Sequence, residues 1–206
     1  LGRDAQGFQR FASVFHAAEA GQAGAPASLA ALADDVGQPP IVRASALERL
    51  AAAGTPEAGI AQRAARDAQP LLRLASVHLA ESLPPPEQAR LLGPLLSDPL
   101  LAVRIEAARA MAGSEDSLTA EQRAAWQRAA DEYLATLGYT ADRPEARVAL
   151  GSFQSRLRRH DAAQAAFAQA IALDPAFVPA YLNAADDLRA QKRDAEARQL
   201  LRQGLA

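Results

Sequence analysis

The chain has 206 residues and no cysteine. That absence excludes disulfides, thiolate metal sites, haem attachment through C-x-x-C-H and a cysteine nucleophile. It leaves the compartment open, because a cysteine-free protein persists in oxidising and reducing surroundings alike. Lysine is nearly missing as well: Lys192 stands alone among the basic residues, and the rest are arginine. Aromatics are scarce, with one Trp, three Tyr and six Phe. The aromatic and β-branched residues that favour strands are therefore in short supply. No uninterrupted run of about 18 apolar residues occurs, so no helical membrane span is expected. The opening "LGRDAQGFQRF" carries neither an initiator methionine nor a signal-peptide pattern. The chain is accordingly expected to be an excised piece or a processed product of a longer protein.

What is present is alanine, in a composition that is 50% hydrophobic. Alanine is the best helix former, and its small side chain lets helices approach closely. The composition predicts an all-α protein. A formal charge of −2 and a pI near 6.0 give no general attraction to nucleic acid or to anionic lipid.

The C-terminal part repeats itself. One constant shift lays Phe167 on Leu201, Ala163 on Ala197 and Arg147 on Tyr181. The same shift backwards lays Phe167 on Tyr133 and Ala163 on Ala129. Ala163, Phe167 and Ala170 share one helical face, and Asp174-Pro175 ends that helix. The stretch from Leu118 to Ala206 thus predicts one helix followed by two helix pairs. Leu150-Gly151, Ala163, Phe167, Ala170 and Pro175 resemble the tetratricopeptide (TPR) repeat, whose period of about 34 residues the shift matches. The second copy keeps Tyr181 and Ala197 but has Ala184-Ala185 for the Leu-Gly pair. Arg147 stands where that family usually has a large aromatic, which implies looser packing there.

The N-terminal part follows another rule. "PPIVRASALERLAA", "QPLLRLASVHLAES" and "DPLLAVRIEAARAMAG" align on Arg43, Arg73 and Arg104, at nearly equal and slightly shorter intervals. Three residues after each arginine comes a small residue: Ala46, Ser76 or Ala107. Each segment follows a short helical stretch ending near Asp35, Asp67 or Asp98. The pattern resembles short HEAT-type repeats. The resemblance implies that these arginines, with Asp67 and Asp98, form a structural ladder along the hairpin turns.

Between the two patterns lies the polar "AGSEDSLT", with Thr119 and Gln122 spaced as a capping box. The expected organisation is a capping helix over 1–24, HEAT-like repeats over 25–113 and TPR-like repeats over 118–206. Because each repeat buries its face on its neighbours, the expected architecture is a right-handed α-solenoid of antiparallel helix pairs. The order of these parts resembles the C-terminal scaffold of bacterial TPR proteins that carry a multihaem cytochrome domain upstream. That resemblance implies a periplasmic location and an accessory, non-haem part of a redox protein. In that setting His16 could meet a neighbouring domain or a haem propionate.

No Walker loop, G-x-G-x-x-G, H-E-x-x-H or G-x-S-x-G occurs, and His16, His78 and His160 show no metal-ligand spacing. No cofactor or metal is predicted, and no enzymatic activity. His78 reads as an ordinary, partly buried residue. The acidic pairs Asp34-Asp35, Glu115-Asp116, Asp131-Glu132 and Asp186-Asp187 read as caps or solvated faces, because neighbours on a helix diverge by about 100°. "RLRRH" at 156–160 complements a helix C-terminus, with anion binding as the alternative.

The remaining expectation is a binding face. The TPR-like register turns Val148, Ser152 and Ser155 of one helix, and Leu182, Asn183, Asp186 and Arg189 of another, towards a groove. The resemblance implies that Asn183 grips an extended peptide's main chain, since an amide donates and accepts together. The matching place in the first pair is Ala149, so no asparagine ladder exists. Phe8, Phe11 and Phe15 form one stripe that either caps the first hairpin or docks an upstream domain. Leu200, Leu201 and Leu205 form an apolar end that could support a homo-oligomer. The predicted function is a protein- or peptide-binding scaffold without enzymatic activity, and the alternatives are the redox accessory and the self-association module.

Overall fold

A computed structural model describes residues 10–54 and 58–205. Phe8 of the expected docking stripe lies outside the described residues. Among these residues the protein is all-α, with twelve α-helices and no strand. Two compact units divide the chain, Leu1–Ala129 and Ala130–Ala206.

The first unit holds α1 (Arg10–Glu19), α2 (Ala25–Asp34), α3 (Pro40–Ala52), α4 (Ala58–Ala64), α5 (Pro70–Ala80), α6 (Pro85–Leu92) and α7 (Leu101–Met111). The long helix α8 (Ala120–Tyr139) begins in this unit, and the unit boundary falls within it. Prolines in the first turn start α2, α3, α5 and α6, where the missing N–H would have had no partner and φ is preset. Thr119 and Gln122 start α8 as a reciprocal capping box, with bonds of 3.0 and 3.2 Å between each backbone N–H and the other's side chain.

Helices α2 and α3, α4 and α5, and α6 and α7 pack as neighbours. In addition α3 packs on α5 and α5 on α7, while α2 packs on α4 and α4 on α6. The small residues of the arginine-anchored pattern explain the close row of α3, α5 and α7: Ala46, Ser76 and Ala107 are all fully buried. Leucines at 29, 47, 50, 72, 79 and 92, with Val77, Val103 and Met111, fill the remaining core. Trp126 of α8 is buried too, and its indole N–H donates to the Ala108 carbonyl at 3.0 Å.

The arginine–aspartate ladder is present at two steps. Arg43 meets Asp67 at 2.9 Å, and Arg73 meets Asp98 at 2.6 Å. Each aspartate also accepts the backbone N–H two residues on, from Gln69 and Leu100, and so shapes the turn into the next helix. Arg104 donates to the carbonyls of Asp98 and Pro99.

The second unit contains the rest of α8 and α9 (Pro144–Arg156), α10 (His160–Leu173), α11 (Val178–Ala190) and α12 (Asp194–Gln203). Helix α9 packs on α10 and on α11, α10 on α11, and α11 on α12. Phe167, 1% exposed, packs with Ala163 and Ala184, flanked by Val148 and Leu200. Tyr133 meets Phe153 edge-to-face, with centroids 5.1 Å apart.

Two details add to the sequence reading. Arg147, where looser packing is expected, donates its Nε to the Ala141 carbonyl at 2.8 Å. Tyr181, its equivalent in the next repeat, donates its hydroxyl to the Pro175 carbonyl at 3.0 Å. Both side chains reach back along the chain to tie down the approach to their helix, by different chemistry. The turns before α10 and α12 place Arg158 (φ 58°) and Lys192 (φ 63°), again equivalent positions of successive repeats, in the left-handed region that favours glycine.

Candidate functional site

Helices α9 and α11 lie side by side, so their equivalent turns are neighbours. On α11, Val178, Leu182, Asp186 and Arg189 recur at helical spacing along one stripe. Val178 is 52% exposed and Leu182 50% exposed. Asp186 and Arg189, both exposed, pair with each other at 2.9 Å. Beside them Ser152 of α9 donates to Asn183 Oδ1 at 3.2 Å, and Asn183 Nδ2 donates to the Pro179 carbonyl at 2.8 Å. These bonds fix the orientation of the Asn183 amide. They leave it one lone pair and one N–H, the two functions a peptide main chain needs.

Two expected members of the face are directed elsewhere. Val148 packs into the core against Ala163, Phe167 and Ala184. The Ser155 hydroxyl donates to Asp187 at 2.5 Å. Asp187 itself, read from sequence as part of a solvated pair, is buried at 3% exposure. It accepts from Ser155, from His160 Nδ1 at 2.7 Å, and from the amides of Gln164 and Gln191 at 2.8 Å each. Burial alone would raise this carboxyl. The hydrogen bonds from Ser155, Gln164 and His160, with the charge of His160, hold it below the ordinary aspartate range. Ser, His and Asp meet here, but the carboxylate lies between the other two. His160 bonds to Asp187 and not to the Ser155 hydroxyl, so the arrangement lacks the serine–imidazole bond that activates a nucleophile. The cluster instead braces the inner side of the α9–α11 face.

The other expected surfaces are placed as follows. Phe11 and Phe15 of α1 stack edge-to-face at 5.7 Å, and the Arg49 guanidinium lies 3.9 Å over the Phe15 ring. Phe15 is thus engaged within the chain, and both rings are half-buried. His16 is exposed. Leu200 and Leu201 of α12 are partly buried against Ala185, Leu188 and Ala197, whereas Leu205 is 89% exposed.

His78 differs from the ordinary residue expected. Its Nδ1 is 2.8 Å from Glu48 of α3, and its Nε2 is 3.0 Å from Glu106 of α7. Hydrogen bonds donated to Glu106 and Glu48 outweigh desolvation and push the imidazole up to about 10. Glu106 also meets Arg109 at 2.8 Å, and Arg109 reaches Glu81. The network ties α3, α5 and α7 across their outer sides.

Both networks left a signal in the repeats. Asp187 aligns with Phe153, a buried aromatic at 2% exposure, so a carboxylate in that column requires donors from within the fold. Glu48, His78 and Arg109 share one column of the arginine-anchored pattern, a run of ionisable residues readable only once the copies are aligned. No helix among the described residues is long and apolar enough to cross a membrane. Among the described residues, no cluster of three or more histidine and carboxylate side chains could hold a metal. Comparison with protein-family models, curated proteins and solved structures finds no significant match.

Proposed function

We propose that the protein is a non-enzymatic interaction scaffold, built from HEAT-like hairpins in its first unit and TPR-like hairpins in its second, and that it binds an extended peptide along the α9–α11 face. The solenoid reading draws support from the packing of α2, α4 and α6 in one row and α3, α5 and α7 in another within the first unit, and of α9 on α11 within the second. The observation that carries the binding role is the stripe on α11. Two half-exposed aliphatic side chains, Val178 and Leu182, stand beside an amide whose orientation is already fixed. Apolar contact would supply affinity there, and the pre-set amide would supply main-chain register at little entropic cost.

The test is selection from a library of extended peptides, followed by titration of the recovered peptide. Asn183→Ala should weaken binding by about 0.5–1.5 kcal/mol, the usual net worth of such hydrogen bonds. Leu182→Asp should abolish it, and Arg189→Gln should reduce its salt dependence. Stability should be unchanged in all three, because the altered side chains are at least partly exposed. Equal binding by wild type and all three variants would refute the face. Should only Leu205→Ser alter binding or molecular size, the functional surface is self-association at that leucine.

A further inference from the structure

We infer a second binding site, independent of the α9–α11 face: an oxyanion site in the first unit formed by Arg66, Arg90 and Gln62. Arg66 follows α4, Arg90 lies on α6, and these helices pack on one another. The three residues line one cavity of about 60 Å³ together with Ala65, Leu91 and Pro94. Nearby arginines of the same unit are neutralised: Arg43, Arg49, Arg63, Arg73 and Arg109 each meet a carboxylate. Arg66 and Arg90 make no side-chain hydrogen bond or ion pair with the described residues.

The carboxylates closest in sequence do not serve them. Asp67 is held by Arg43 and by the backbone N–H of Gln69. Glu87, one turn before Arg90, forms no ion pair with it. Two exposed like charges therefore border one small space without a counter-charge among the described residues, an arrangement that an anion relieves. The guanidinium fork matches the geometry of carboxylate and phosphate oxygens, and the Gln62 amide adds a neutral donor. The space is small, about 60 Å³, and open to solvent, which suits a single carboxylate or phosphate group. The remainder of the ligand must lie outside the cavity, as it does when the group is a side chain of a peptide.

The experiment is an NMR titration of the arginine Nε–Hε signals with sodium phosphate and, separately, sodium acetate, at ionic strength held constant with sodium chloride. Saturable shifts are expected at Arg66 and Arg90 and not at Arg159, an exposed arginine of the second unit whose side chain also lacks a partner among the described residues. Arg66→Gln and Arg90→Gln should each weaken the response at least ten-fold while leaving the melting temperature unchanged. Tighter binding of phosphate assigns a phosphorylated side chain, and tighter binding of acetate assigns an acidic one. Non-saturating shifts, equal shifts at Arg159, or a response preserved in both variants would overturn the site.

Discussion

A Cβ on Gly151 would stand 2.6 Å from Cδ1 and 2.8 Å from Cζ of Phe167, closer than real side chains approach. The ring cannot yield easily, because it is 1% exposed and held by Ala163 and Ala184. Gly151→Ala should therefore cost about 1–3 kcal/mol, the range for overpacking. Phe167→Leu should recover part of that cost when the two changes are combined, and urea melts of the four proteins measure the coupling. Phe167 was legible in the sequence from helical spacing and the constant shift between copies, whereas Gly151 was singled out only by the resemblance to the TPR repeat, since the shift lays it on Ala185. Asp187 was not, because its neighbour Asp186 is exposed and a linear reading gives both residues one character. Donors from α9, from α10 and from the end of α11 decide its burial, and only the fold brings them together. Asp187→Asn keeps the shape but turns an N–H group towards those donors, so about 1–3 kcal/mol should be lost. The folded-state pKa of Asp187 is depressed, so its contribution is present above the unfolded value and is lost as pH falls through the folded one. The wild type should lose stability along that acid limb more steeply than the asparagine variant.

Ladder bonds link one helix pair to the next. Arg73 belongs to α5 and Asp98 to the turn that opens α7, and both side chains are largely shielded. Burial opposes the charge of Asp98, but the hydrogen bonds from Arg73 and Leu100 more than restore it, and its pKa falls below the usual range. Removing either partner leaves the other charged group without its match, which is costlier than the pair is beneficial. Arg73→Gln and Asp98→Asn should each destabilise, and their double-mutant cycle should show coupling of about 0.5–3 kcal/mol in denaturant melts. Additive effects would mean that Asp98 acts only through the Leu100 N–H. At this scale helix starts were readable, because proline at the first turn and the Thr119–Gln122 box carry their own mechanism. The left-handed turns were not. Arg158 and Lys192 occupy backbone angles that a sequence usually marks with glycine, so the chain gave no local sign of them.

The two rules of repetition, the shorter anchored on arginine and the longer TPR-like, were legible because each alternates small and large side chains at a nearly constant shift. Cross-repeat polar networks were harder to read, since their members lie one repeat apart and share no local pattern. Those networks also distinguish the units in their response to pH. Asp98 and Glu106 in the first unit and Asp187 in the second all have depressed carboxyl pKa values, so acid weakens both. The alkaline limb belongs to the first unit, through His78. Its folded-state pKa is raised, so its stabilisation is complete below the unfolded value of 6.5 and is lost as pH rises through about 10. Trp126, the chain's single tryptophan, is buried in that unit and bonded to the Ala108 carbonyl of α7. Its fluorescence therefore reports the packing that the His78 network supports. Urea midpoints followed at Trp126 should fall between pH 6 and pH 10 in the wild type. His78→Gln should lower the midpoint at pH 6 and flatten its dependence over that range, because the variant has no imidazolium to lose. A wild-type midpoint independent of pH over that range would mean that Glu48 and Glu106 do not hold His78 charged.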